Sequence, residues 1–186
     1  MSGNEPEKLR VQLLKLLEKE AFKKGKFILS SGKESSYYLD GRVITLTPEG
    51  AYLVGMLILD MIKDKLPKAV GGPTIGADPI VGALAALAHI NNVPVKTFIV
   101  RKAAKEHGTQ KLVEGPALSQ GDEAILVDDV ATTGKAIIDS KQVLDKVGVV
   151  VKRAIVIVDR LEGAKENLAR SGIKLESIFT IKDFGL

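Results

Sequence analysis

The chain contains no cysteine. That excludes disulfides, thiolate metal sites and cysteine nucleophiles, and it fits a reducing cytoplasm. Aromatic residues make up only 4%, with no interleaving of basic and aromatic residues, so stacking on single-stranded nucleic acid is not the leading reading. Long apolar runs are also missing. The richest stretch, "AYLVGMLILDMI" (51–62), is broken by Asp60 and falls short of the ~20 residues a bilayer needs. The N-terminal "MSGNEPEKLR" is polar where a secretory signal has its apolar segment. These absences lead to the expectation of a cytoplasmic protein with neither a membrane nor a nucleic-acid partner.

What is present fits a globular domain. The 186 residues are 45% hydrophobic and 27% charged, enough for one sizeable core and too few for two. Residues 1–186 are therefore expected to form one domain with a small N-terminal appendage. The net charge of +4 suits an anionic small ligand.

Residues 7–20 carry apolar residues at helical spacing, and "GKFILSSGKESSYYLDGRVI" reads as strand, polar turn and second strand. From Pro48 the rhythm changes: a helix to about Asp64, a strand at 69–73, a helix at 78–90, and strands at 95–100, 123–129 and 149–159. A helix from Lys135 ends at Gly148, and "ESIFTIKDFGL" holds a last short strand. Continuous aliphatic strands alternating with helices predict an α/β fold with a mainly parallel twisted sheet covered on both faces.

The most informative stretch is "ILVDDVATTGKA" (125–136). A strand that passes through Asp128 and Asp129 into Val130, Ala131, Thr132, Thr133, Gly134, Lys135 and Ala136 and then a helix offers unpaired backbone N–H groups to a phosphate. The hydroxyls of Thr132 and Thr133 add donors, and Gly134 permits close approach. A Walker A loop is excluded, because Ala136 follows Gly134-Lys135 and no glycine stands five residues before Gly134. A dinucleotide fingerprint fails at Pro73 in "GGPTIG" (71–76). Two carboxylates beside a phosphate loop need another partner, and vicinal sugar hydroxyls or hydrated Mg²⁺ supply it. The combination points to a ribose-phosphate pocket, although a lone aspartate pair would merely cap a strand end.

"ILVDDVATTGKA" resembles the phosphoribosyl-diphosphate signature of the type I phosphoribosyltransferases, which regulators of the same fold also carry. "VRKAAKEHGTQKLVEG" (100–115) resembles the catalytic loop of the orotate phosphoribosyltransferases within that family. "FILSSGKESSYYLDGR" (27–42) and "VDRLEGAKE" (158–166) resemble its N-terminal base-binding hood and its orotate-reading arginine. The likeness runs from about residue 10 to the C-terminus.

The resemblance implies a type I phosphoribosyltransferase fold, with residues 1–45 forming a helix and a hood over the base site. It implies phosphoribosyl diphosphate held by residues 128–136 together with Arg101, Lys102, Lys105 and His107. Orotate would be bound by Arg160 and Thr132, and Lys105, His107 and Asp129 would be the catalytic residues. Mg²⁺ would be held mainly by substrate, through water to Asp128 and Asp129. A homodimer with shared active sites follows, since the loop serves the neighbouring subunit in the family. A cis peptide is expected near Thr74-Ile75, and His89 is taken as structural. Some members carry Lys at the position of Ser30, or Tyr-Lys where this chain has Ile75-Gly76, so its remaining cations matter more. A purine phosphoribosyltransferase and a ligand-sensing regulator are the alternatives. The first gives no reason for Arg160, and the second needs a nucleic-acid-binding surface.

Overall fold

The computed structural model describes residues 5–28, 34–103 and 111–186. Its N-terminal part is α1 (Glu5–Leu16), a π-helical turn (Leu17–Ala21), and an antiparallel ribbon of β1 (Phe22–Ile28) and β2 (Glu34–Leu39). The remainder is α2 (Arg42–Thr45), α3 (Pro48–Ile62), β3 (Ala69–Pro73), α4 (Ala77–Ile90), β4 (Lys96–Val100), β5 (Val113–Glu114), β6 (Glu123–Ala131), α5 (Lys135–Lys146), β7 (Val150–Asp159), α6 (Ala164–Arg170) and β8 (Lys174–Thr180).

Six strands form one sheet in the order β5-β4-β3-β6-β7-β8, and every described pairing is parallel except that of β4 with β5. This is the mainly parallel, helix-flanked sheet expected of a type I phosphoribosyltransferase. Successive strand residues feed opposite faces. Ile125, Val127, Ile155 and Ile157 pack with Leu53, Ile58 and Leu84 of α3 and α4. Leu126, Ala154 and Val156 pack with Ile137, Leu144 and Leu168 of α5 and α6. Burying such a side chain stabilises the fold by roughly 1.5–3 kcal/mol, which holds the strand ends, and the site on them, in register.

Local chemistry sets the helix starts. The Thr47 side chain accepts the Gly50 N–H at 3.1 Å, with Pro48 in the first turn of α3. Gly134 begins α5 at φ 76°, and Gly148 follows its end at φ 77°, both in the left-handed region that favours glycine.

Several boundaries differ from the expectations. The α-helical part of the first helix stops at Leu16. A π turn then carries the chain on to β1, with Leu17 and Ala21 buried on the same i, i+4 stripe as Leu13. Residues 42–45 are helical rather than extended: the Asp40 carboxylate accepts the Arg42 N–H at 3.0 Å and folds the chain into a turn. Strand β6 continues through both aspartates to Ala131, because β7 is long enough to pair with it there. The two-residue β5 and the seven-residue α6 are too short for a periodic signal.

Candidate active site

The strand order reverses between β3 and β6, and in open parallel sheets such a switch leaves a crevice at the carboxyl ends. β3 pairs with β6 only as far as Gly71 opposite Leu126, whereas β6 runs on beside β7. Asp128 and Asp129 therefore stand where β3 no longer covers their strand. Two glycines close in on them. A Cβ on Gly76 would collide with Asp128 Oδ1 and stand 2.6 Å from Asp129 Oδ1, and one on Gly41 would stand 2.7 Å from Asp129 Cβ. In this chain, therefore, the aspartate carboxylates occupy the space that a side chain on residue 76 would enter.

A cleft of about 600 Å³ opens over the pair. Its lining includes Asp128, Asp129, Thr132, Thr133, Lys102 and Arg160, with Asp40 and Arg42 on the hood side. Residues 73–76 line it too, and the Thr74-Ile75 peptide is cis, as expected. A smaller hollow of about 160 Å³ follows the backbone from Asp128 to Ile137, at the start of α5. Its loop is pinned from α6: the Asn167 amide donates to the Thr133 carbonyl at 2.9 Å, and Leu168 lies 3.0 Å from where a Cβ on Gly134 would be. Backbone N–H groups at such a helix start bind phosphate without a cationic side chain. Lys135 is not aimed into the hollow; its ammonium pairs with Asp139 at 2.9 Å along α5.

The acid pair is electrostatically costly. Burial, and then the neighbouring charge of Asp129, raise Asp128 well above the ordinary carboxylate range, while Lys102 opposes the shift. Burial raises Asp129 as well, against the Val130 N–H at 2.8 Å and the charge of Arg42. Groups held this way favour hydroxyl donors or positive charge arriving between them. Among the described residues no three His, Cys, Asp or Glu side chains gather into a metal cage. The fit of a Mg²⁺ ion therefore rests on this oxygen pair, which suits a hard cation that keeps most of its waters.

Arg160, at the end of β7, is 8% exposed. Its backbone N–H donates to the Ala131 carbonyl at 2.9 Å, which places it against the Thr132 loop. Its guanidinium lies 4.6 Å over the Tyr37 ring, and its Nε donates to Glu162 at 2.8 Å.

The structure brings together Lys102, residues 128–136 and Arg160 around the two hollows, Lys135 through its backbone rather than its ammonium. Arg101 stands outside the main cleft, 3.7 Å from Glu114 across β5. His89 is exposed in the last turn of α4. Lys105 and His107 lie outside the described residues. Sequence reasoning missed Asp40 and Arg42. Arg42 donates through Nε and Nη2 to the two Asp40 oxygens, both at 2.9 Å, and Asp40 raises Arg42 further above its ordinary value. An acid-Gly-base triplet directly after a strand was the available signal.

The fold and the acid-threonine corner at its switch point are those of the phosphoribosyltransferase class, and residues 46–186 match the family model described as the phosphoribosyl transferase domain. The orotate phosphoribosyltransferase of Rhodopirellula baltica is 40% identical over 192 residues, covering 100% of this chain and 99% of its own. That of Nostoc sp. is 42% identical over 175 residues, covering 94% of this chain and 84% of its own. Among solved structures, the Mycobacterium tuberculosis orotate phosphoribosyltransferase in complex with 5-phospho-alpha-D-ribosyl 1-diphosphate superposes with a TM-score of 0.78 at 31% identity, covering 96% of this chain and 99% of its own. The chain belongs to the orotate phosphoribosyltransferase family.

Proposed function

We propose that the chain transfers ribose 5-phosphate from phosphoribosyl diphosphate to orotate, giving orotidine 5′-phosphate and diphosphate in pyrimidine biosynthesis. The observation that carries this reading is one cleft lined by twin aspartates, the Thr132-Thr133 loop that leads into α5, and the buried Arg160.

The 5′-phosphate rests on the 132–136 backbone, and Asp128 and Asp129 accept hydrogen bonds from the ribose hydroxyls. Arg160 reads the orotate carboxylate, since a planar fork-shaped donor matches that group, and Thr132 borders the base. A ring nitrogen of orotate bonds to the anomeric carbon as its bond to diphosphate breaks; the C–O electron pair leaves with the diphosphate, and the nitrogen's proton passes to the departing diphosphate or to water. The transition state resembles an oxocarbenium ion, so the chief need is positive charge fixed around the leaving group. Lys102 stands in the cleft for this, and Arg101, Lys105 and His107 belong to the loop that would close over the diphosphate and exclude water. Arg42 adds a cation on the hood side of the cleft, where Ile75 and Gly76 offer none. Mg²⁺, when bound beside Asp128 and Asp129, neutralises diphosphate charge.

The reading includes one domain whose hood, residues 1–45, borders the base site, a homodimer in which each loop serves the neighbouring site, and a cytoplasmic location suited to anionic, water-borne substrates. Diphosphate release measured with orotate, adenine, hypoxanthine and xanthine tests it. Turnover with orotate alone is expected, and turnover confined to a purine would overturn it.

A further inference from the structure

Beside the cleft, Glu162 and Tyr37 hold the Arg160 guanidinium without themselves lining the space where substrate enters. Glu162 Oε1 accepts from Arg160 Nε at 2.8 Å and from the Tyr37 hydroxyl at 3.5 Å. Tyr37 is buried, and its ring lies 4.6 Å beneath the guanidinium carbon. Ser35 Oγ meets Nη2 at a long 3.4 Å. One edge and one face of the guanidinium are thus taken, and among the described residues the edge carrying Nη1 and Nη2 keeps only the long Ser35 contact.

The backbone is bent to achieve this. Leu161, between the two partners, has φ 58°, a left-handed conformation that leucine rarely adopts. The turn is held by the buried Asp159, whose Oδ1 accepts the Leu161 N–H at 2.9 Å. It folds Glu162 back onto Arg160, two residues earlier in the chain. Strain of this kind persists where surrounding structure enforces it, and it concentrates at functional sites.

We infer that Glu162 is a positioning residue for base recognition: by occupying Arg160 Nε over the Tyr37 ring, it fixes the Nη edge in the orientation that receives the carboxylate of the incoming base. This rests on the reading of Arg160 as the orotate-binding residue. The arrangement also compensates a nearly buried guanidinium while the site is empty, since the Arg160 side chain is 7% exposed and that of Glu162 is 35% exposed. A rotating arginine would have to be ordered afresh by each substrate. A fixed one meets it with that entropy already lost.

The test is steady-state kinetics of the full chain with Glu162→Ala and Glu162→Gln. Alanine removes the acceptor, whereas glutamine keeps an oxygen for Nε. Expected for Glu162→Ala is a rise in the KM for orotate of about tenfold or more, as for loss of a hydrogen bond to a charged group, with the KM for phosphoribosyl diphosphate and kcat close to wild type. Glutamine is expected to restore most of the orotate KM. An unchanged orotate KM in Glu162→Ala, or a parallel rise for both substrates, would overturn the inference and leave the assigned reaction intact. Wild-type protein inert toward orotate would instead sink the assigned reaction, and the inference with it.

Discussion

Gly41 presses directly on Asp129: a Cβ on the glycine would stand 2.7 Å from the aspartate Cβ and 3.0 Å from its Oδ2. The contact joins the N-terminal hood to β6. It is purely steric, since Gly41 has φ −62° and ψ −25°, a backbone conformation open to any residue. Gly41→Ala should therefore push the hood and Asp129 apart. Overpacking of this kind costs about 1–3 kcal/mol, and kcat/KM for both substrates should fall more steeply than the melting temperature. A variant with wild-type kinetics would show that the contact does not set the site.

The paired aspartates cost the unliganded protein stability. Burial and mutual repulsion raise the folded-state titration of Asp128, and burial raises that of Asp129. Below about pH 4, where unfolded carboxylates are also protonated, the pair costs nothing. As pH rises through the folded values, the ionised pair increasingly destabilises the unliganded protein. Asp128→Asn should therefore melt higher than wild type at about pH 7.5, by about 2–4 °C for each kcal/mol of cost removed. The two curves should converge toward about pH 4, while turnover with orotate collapses. Thermal melts across pH, without substrate, check the sign. A variant less stable at neutral pH would contradict it.

Arg42 should act on phosphoribosyl diphosphate rather than on the base. It lines the cleft on the hood side, is oriented by Asp40, and stands close enough to Asp129 to interact with its charge. Arg42→Gln is expected to raise the KM for phosphoribosyl diphosphate by about tenfold, with the orotate KM nearly unchanged. Initial rates with each substrate varied in turn distinguish the two. An effect on orotate alone would move Arg42 to the base site.

Sharing of the loop between subunits predicts complementation. Lys105→Ala and Arg160→Ala proteins, each inactive alone, should regain about a quarter of wild-type activity when co-expressed in equal amounts. Half of the dimers are then mixed, and each mixed dimer has one intact site of two. Absence of recovery in a demonstrably mixed dimer would mean that each chain uses its own loop.

The layers and the acid-threonine corner were legible in the sequence because both are written locally. Runs such as "AIVIVD" announce a strand buried on two faces, and Gly134 announces the turn into α5. Asp40 and Arg42 were not legible as site residues. Their place depends on how the ribbon of β1 and β2 folds over β6, a contact between segments nearly 90 residues apart in sequence. Glu162 escaped for a different reason: its role depends on the left-handed turn at Leu161, and nothing in the composition of "DRLEG" requires one. Arg101 looked equivalent to Lys102 in a basic run, yet alternation along the chain sends the neighbours to different sides, one toward Glu114 and one into the cleft.

The end of β6 behaves as a cantilever. It is clamped along one side by β7 and overhangs β3 on the other, so the residues proposed to grip the sugar add nothing to the β3 ladder. Rewriting the overhang can retune what the crevice holds without disturbing the bonds that align the sheet. The β3 ladder and the lining of the crevice thus fall to different stretches of a single strand.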